Sequence, residues 1–478
     1  MRSPALILLL LAVIACSEEQ STQAAAPNIL LIIGDDMGVE TLASYGLGEN
    51  PAKTATLDQL AAEGVQFTNF WSQPVCSPTR ATMLTGRYAF RTGVGRPGGE
   101  KDKRGHFPDV PERPASASFE VPRGMGRRGG DNWNLPPDEY TLPMAIKTED
   151  SLNYATAAIG KWHLADNRNG WAEHPNKVGF DHFSGRIFGW PASYYAWNKL
   201  EDGEFVGTTG YSPDDFANNA IKWIEEQGER PWFLWYAFNL PHAPLHMPPE
   251  DLWQADHSDV DPKAEIGGAS KQHFHAMMEA MDTEIGKLLD SLAPEVRDNT
   301  YVIFMGDNGT NRSSISAPFR PTGAKGSVYQ GGVNVPLIVS GPGVARGVSS
   351  DAMVNSTDMF STIIEMAGIN IDEVLPEGVT IDSVSFVPYL SSPGAESRRE
   401  WLYADYFDGN FDGVETANYA MRNQRYKLLR ISGVEEFYDL AEDPYEHNNL
   451  LAGDLTASEQ AAYRGLQQQL QELRTNND

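Results

Sequence analysis

Two short runs of oxygen donors and one cysteine are the residues of this sequence best suited to chemistry. Asp35-Asp36 follow the apolar run at 29–33, and Asp307-Asn308 follow the apolar run at 301–305. Either pair alone reads as a turn. Two such pairs, each leaving a buried strand, are less easily explained that way. Three carboxylates converging in a partly dry site repel one another strongly unless a cation lies between them. Oxygen donors with an amide among them suit Ca²⁺ or Mg²⁺ rather than zinc. Cys76 opens the run Cys76-Ser77-Pro78-Thr79-Arg80. Pro78 suits the first position of a helix, because its ring presets φ and it has no N–H to leave unpaired. Cys76 therefore falls at or just before a helix N-terminus, where free N–H groups and the dipole favour an anion. The plain readings of such a cysteine are a small buried thiol or a low-pKa thiolate nucleophile.

The elements that must position these groups follow from periodicity. Residues 29–33, 155–159, 232–238, 301–305 and 336–340 are short apolar runs of the kind buried on both faces in a parallel sheet. Helices are expected at 57–64, near 143–148 and at 213–227. A long amphipathic one carries Phe274, Met277, Met278, Met281, Ile285, Leu288, Leu289 and Leu292. Strands alternating with helices predict a large, mostly parallel sheet sandwiched by helices, with ligands at the strands' C-terminal ends. From about residue 396 the texture changes. Antiparallel strands are expected at 401–407 and 426–429, and Thr456 with Glu459 forms a capping box before a last helix. The organisation predicted is 27–395 for the main domain and 396–478 for a smaller C-terminal α+β subdomain. The aromatic stretch 183–197 reads as packing, and His273 and His275, two apart, read as structural because they point to different faces of a helix.

The 478-residue chain carries a formal net charge of -28, which argues against nucleic-acid partners. Residues 1–16 read as an export signal: a short positive start, an apolar run too short to span a membrane, then Cys16. Residues 17–26 read as a tether. Residues 96–130 are rich in Pro and Gly and hold eight Lys or Arg against five Asp or Glu, a local +3. In so acidic a chain they either offer a positive approach for a polyanion or pair with acids nearby. Cys16 and Cys76 are the two cysteines.

The run C-x-P-x-R followed by Thr85-Gly86-Arg87 resembles the maturation motif of type I sulfatases, within the alkaline-phosphatase-like superfamily. The resemblance extends over nearly the whole mature chain. The metal-binding Asp-Asp of that family matches Asp35 and Asp36, and its second ligand pair matches Asp307 and Asn308. Its G-K-W-H matches Gly160-Lys161-Trp162-His163, its P-H-x-P matches Pro241-His242-Ala243-Pro244, and its K-G-[ST] matches Lys325-Gly326-Ser327. Residues 13–16 also resemble the bacterial lipobox, which implies lipidation of Cys16 and an exported, periplasmic or cell-surface protein held at the membrane by its lipid alone.

The family resemblance implies that a maturation enzyme oxidises Cys76 to formylglycine. It also implies that Asp35, Asp36, Asp307, Asn308 and residue 76 hold a divalent ion, Ca²⁺ ahead of Mg²⁺. The implied reaction is hydrolysis of a sulfate monoester, an aryl sulfate or a sulfated glycan. One hydroxyl of the formylglycine hydrate attacks sulfur, and Lys161 and Lys325 neutralise charge. His242 or Lys325 protonates the leaving oxygen, His163 deprotonates the second hydroxyl, and Arg80 holds the hydrate. One departure stands out. Where the family continues towards E-G-G-x-R, this chain has Gln330, Gly331, Gly332, Val333 and Asn334, so an ion pair of the supporting loop is lost. Two other readings stand beside this one, a phosphonate or phosphate ester hydrolase on the same scaffold and an inactive sulfate- or glycan-binding lipoprotein.

Overall fold

The computed structural model describes residues 26–97, 134–166, 168–189, 191, 193–261, 271–408 and 411–475. The signal, the tether up to residue 25, Cys16 and nearly all of the basic segment lie outside them. Ten strands form one sheet: β1 (Asn28–Gly34), β2 (Val65–Trp71), β3 (Ala155–Lys161), β4 (His182–Arg186), β5 (Ala196–Glu201), β6 (Glu204–Thr209), β7 (Trp232–Ala237), β8 (Thr300–Gly306), β9 (Leu337–Ser340) and β10 (Val348–Asn355). Their order is β10-β2-β9-β8-β1-β7-β3-β4-β5-β6. Only β9 and β5 run against the rest. A second, antiparallel sheet holds β11 (Leu402–Tyr406), β12 (Asn418–Arg422), β13 (Tyr426–Ile431) and β14 (Val434–Asp439) in sequence order. The architecture is the expected mostly parallel α/β sandwich with an antiparallel C-terminal sheet.

The centre of the large sheet explains the unbroken apolar runs. Alternate β1 residues point to opposite faces, and both faces are covered. Ile29, Leu31 and Ile33 pack with Phe67, Leu84 and Phe360 on one side. Leu30 and Ile32 pack with Met278, Met281 and Ile285 of the helix Lys271–Ser291 on the other. Each such side chain, fully withdrawn from water, contributes about 1.5–3 kcal/mol. The last helix, Ala457–Thr475, lays Leu466, Leu470 and Leu473 on the second sheet against Tyr403 and Phe437. Its capping box is present: Glu459 Oε2 accepts from Thr456 N at 2.7 Å, and Thr456 Oγ1 accepts from Glu459 N at 3.3 Å.

The helix carrying Cys76 runs Cys76–Thr85, with Val75 extended before it. Pro78 stands third in this helix rather than first. Its missing N–H is still harmless there, because the whole first turn lacks acceptors within the helix.

Candidate active site

Strand register brings the two donor pairs together. β1 and β8 are parallel neighbours with Gly34 opposite Gly306, so the residues that follow each strand emerge side by side. Asp307 N donates to Gly34 O at 3.0 Å, and Asp36 N donates to Asp307 Oδ1 at 3.3 Å. Asp36 adopts φ 69°, a left-handed conformation that Asp tolerates better than most residues. β7 lies on the other side of β1 and β3 beyond it, which places Lys161 at the same edge. Lys161 Nζ sits 2.5 Å from Asp35 Oδ2, both side chains fully buried. Lys325 pairs with Asp36. Arg80, from the helix interior, reaches Asp307 Oδ2 through Nε (3.1 Å) and a terminal nitrogen (2.8 Å), and its other terminal nitrogen donates to Lys161 O at 2.8 Å.

Cys76 and the two histidines complete the group. Cys76 Sγ is 3.2 Å from His163 Nδ1, and Ser77 Oγ donates to His163 O at 2.8 Å. Burial raises the Cys76 thiol above its ordinary value, and Lys161 and Lys325 only partly oppose it. That direction runs against the reading of Cys76 as a low-pKa thiolate nucleophile, for the sulfur is only 1% exposed. Burial, then Lys161 and Arg80, hold His163 well below the usual histidine range, so its ring is neutral. His242 Nδ1 donates to Ala243 O at 2.7 Å, and Nε2 lies 4.0 Å from Asp36 Oδ2. Burial brings His242 down to about 3 despite Asp36. Asp35 is raised by burial and by Asp307. Burial pushes Asp36 the same way, but Lys325, His242 and Lys161 prevail and lower it.

The donors fit a hard divalent cation. Asp35 Oδ1, Asp36 Oδ2 and Asn308 Oδ1 are buried and lack a hydrogen-bond partner among the described residues. Buried carboxylate oxygens without donors are what a cation satisfies. One ligand atom each of Asp35, Cys76 and Asp307 lies within 4.8 Å of the others, and the same holds for Asp35, Asp36 and His242.

Three residues outside the sequence motifs also touch this site. Tyr194 presents its hydroxyl 2.7 Å from both Asn239 O and His242 O. Asn239 Nδ2 donates to Gly189 O at 3.2 Å. Gly189 packs against His163 so closely that a Cβ there would stand 2.1 Å from two ring atoms. Tyr194 is packing, as the aromatic run suggested, but its hydroxyl also fixes the His242 segment. Nothing local in the sequence marks that contact. His273 Nε2, by contrast, donates to Asp261 O at 3.0 Å, and neither His273 nor His275 joins the carboxylates. The loop that departs from the family pattern is itself hydrogen-bonded. Gln330 Oε1 accepts from Trp71 Nε1 at 2.9 Å, and Gln330 N donates to Glu446 Oε2 at 2.5 Å.

Comparison with known proteins adds a family. The family model described as Sulfatase matches residues 27–369, and that of the N-sulphoglucosamine sulphohydrolase C-terminal region matches 324–476. The chain is 30% identical over 396 residues to N-acetylgalactosamine-6-sulfatase of Homo sapiens, a match covering 76% of this chain and 66% of that protein. It is 27% identical to Arylsulfatase J of Mus musculus, covering 73% of this chain and 53% of that protein. The chain thus spans less than two thirds of the length of these relatives. An Ulvan-active sulfatase of Formosa agariphila is 27% identical, over 89% of this chain and 77% of its own. Among solved structures, Ps i-CgsB in complex with k-i-k-neocarrahexaose superposes with TM-score 0.74 at 23% identity, over 95% of this chain and 94% of that one.

Proposed function

The chain belongs to the sulfatase family, and from that premise we propose that it hydrolyses sulfate monoesters of carbohydrates, with residue 76 as formylglycine. The observation that carries this reading is the convergence of Cys76 Sγ with His163, three buried carboxylates and two lysines at one sheet edge. A sulfated-carbohydrate substrate is supported by the relatives, whose names include an N-acetylgalactosamine-6-sulfatase and an Ulvan-active sulfatase.

Asp35, Asp36, Asp307 and Asn308 would hold Ca²⁺, or less favourably Mg²⁺, which supplies positive charge against the ester's oxygens. Formylglycine at position 76 supplies a geminal diol, with one oxygen to attack sulfur and a second whose deprotonation releases sulfate. The remaining work belongs to the chain's own side chains. Lys161 and Lys325, paired with Asp35 and Asp36, supply the positive charge that a sulfate monoanion meets on entry. His163, neutral and 3.2 Å from the residue-76 side-chain atom, is placed to accept a proton there. Lys325, paired with Asp36, or His242, whose Nε2 lies 4.0 Å from Asp36 Oδ2, donates to the leaving oxygen. Arg80, engaged through three nitrogens, fixes Asp307 and balances its charge. The division into 27–395 and 396–478, and export with lipidation at Cys16, belong to the same proposal. Cys16→Ala should then shift the protein from the membrane fraction to the soluble one.

The deciding experiment measures the mass of the residue-76 peptide in protein produced with a maturation enzyme, together with rates on sulfate and phosphate esters of one alcohol. Formylglycine with faster sulfate hydrolysis is expected. Full activity with an intact thiol overturns the mechanism, and faster phosphate hydrolysis transfers the site to the phosphonate or phosphate ester reading.

A further inference from the structure

We propose that Tyr195 is a stacking platform for a sugar ring of the substrate, a subsite for a pyranose unit beyond the one that bears the ester. The ligand rests on the sulfated-carbohydrate reading, whereas the place rests on strand register. Gly160 of β3 lies opposite Gly185 of β4, and Gly185 lies opposite Leu200 of β5. β5 runs against both, so the residues before Leu200 climb towards the edge that carries Lys161. By that register Lys161 and Arg186 are level with Lys199, and Ala196 stands three residues higher, about 10 Å at the rise of a strand. β5 and β6 thus form a two-stranded wall beside the site, paired from Ala196 with Thr209 to Glu201 with Glu204. Tyr194 and Tyr195 sit at its top, on the end nearest the site.

A stack of neighbours fixes the ring. Tyr195 donates its hydroxyl to Met247 O at 2.6 Å, five residues after His242. Its ring centroid lies 5.1 Å from that of Tyr211 and 5.8 Å from that of His246. His246 is itself held by the Tyr211 hydroxyl and by Pro244 O, each at 3.0 Å. Tyr194 and Tyr211 are buried in this stack, yet Tyr195 is 43% exposed. Phe205 of β6, also exposed, pairs with Leu200 beside the hairpin turn, away from this edge. An aromatic face is negative and the C–H groups on one face of a pyranose are weakly positive, so the two stack. A ring already pinned by its hydroxyl loses little freedom when it does so.

The test uses the full chain with residue 76 converted, para-nitrophenyl sulfate, and sulfated hexasaccharides cut from carrageenan, ulvan and chondroitin sulfate. Calorimetry of hexasaccharide binding to the unconverted chain adds a readout that needs no turnover. Tyr195→Ala should lower the ratio of kcat/KM on the best hexasaccharide to that on the aryl ester roughly tenfold, through KM, the size of one stacking contact. It should weaken hexasaccharide binding by the same factor. Tyr195→Phe keeps the ring and loses the bond to Met247 O, and it should retain both values. An unchanged ratio in Tyr195→Ala means that the ring only props the His242 segment, and it overturns the proposal. So does a loss in Tyr195→Phe equal to that in Tyr195→Ala, or a wild-type protein that binds no hexasaccharide. Failure of the sulfatase reading looks different: converted protein cleaves no sulfate ester, while Tyr195→Ala still weakens hexasaccharide binding.

Discussion

Three carboxylates, Asp35, Asp36 and Asp307, face three cations, Lys161, Lys325 and Arg80, so the side chains alone are close to neutral. Burying six charges is costly unless each is paired, and here each is. A divalent ion held by these residues would tip this balance to about +2 and supply the positive charge that the proposed reading gives to a sulfate monoanion. Trp162, which precedes His163 in the chain, is held by His174. His174 is fully buried, accepts from Trp162 Nε1 at Nδ1 (3.1 Å) and donates from Nε2 to Leu135 O (2.9 Å). Burial brings it from 6.5 to about 4. The folded state therefore refuses a proton that the unfolded chain takes up below pH 6.5. Stability is complete above that pH and declines as pH falls towards 4, by up to about 3 kcal/mol. His174→Gln should flatten the dependence of the urea midpoint on pH in that window. It should not abolish it, since His246 is lowered to about 4 and His242 to about 3 in the same direction. An unchanged slope in the variant would show that His174 titrates normally in the fold.

Neighbouring strand ends account for most of the site at the level of elements. Because β1 pairs with β8 in register, two segments 272 residues apart meet as adjacent donors. β1, β3, β7, β8 and β9 were legible because both faces of each are buried, which leaves a plain apolar run. β4, β5 and β6 were not. Their sequences HFSGR, AWNKLE and EFVGTT mix polar and apolar residues: β5 and β6, at the sheet edge, have exposed positions, whereas β4 buries Ser184 and Arg186 inside the sheet. β10 escaped notice as well, since its pairing with β2 joins Val348 to Val65 with nothing local to announce it. Tyr194, Asn239 and Gly189 were missed for the same reason: their role lies in contacts between segments. Tyr194→Phe deletes the hydroxyl between Asn239 O and His242 O and should lower kcat roughly tenfold with little change in KM, equal to about 1.4 kcal/mol. Gly189→Ala forces a methyl into the His163 ring and should lower kcat about 100-fold, the scale of a 1 Å misplacement. Steady-state kinetics on one sulfate ester checks both. A rise in KM at constant kcat would move these residues from positioning the histidines to binding substrate.

Over the whole molecule, the question is how a second sheet built from the last third of the chain comes to matter to a site made by the first. The loop that has Gln330 and Asn334 where the family pattern has Glu and Arg is held from the antiparallel sheet. Lys427 of β13 places Nζ 2.6 Å from Glu446 Oε1 and 4.7 Å above the Trp71 ring. Glu446 Oε2 takes the N–H of Gln330, five residues after Lys325. Leu402, Ala420, Leu429 and Tyr438 of that sheet pack on Trp71, Val328, Val333 and Met353 of the catalytic side. Both members of the ion pair are buried, so neither charge survives alone without loss. Lys427→Met leaves an uncompensated carboxylate and Glu446→Gln an uncompensated ammonium, and each should cost about 3–5 kcal/mol. Lys427→Met with Glu446→Gln removes both charges while a side-chain oxygen stays available to Gln330 N. The double variant should therefore be less destabilised than the sum of the singles by about 2–3 kcal/mol, read as a coupling energy from urea midpoints. Additive losses would mean that the pair is incidental and that apolar packing alone joins the sheets. If the coupling is present, the single variants should also lose activity beyond their loss of folded fraction, because the loop that Glu446 holds is the one that presents Lys325 to Asp36.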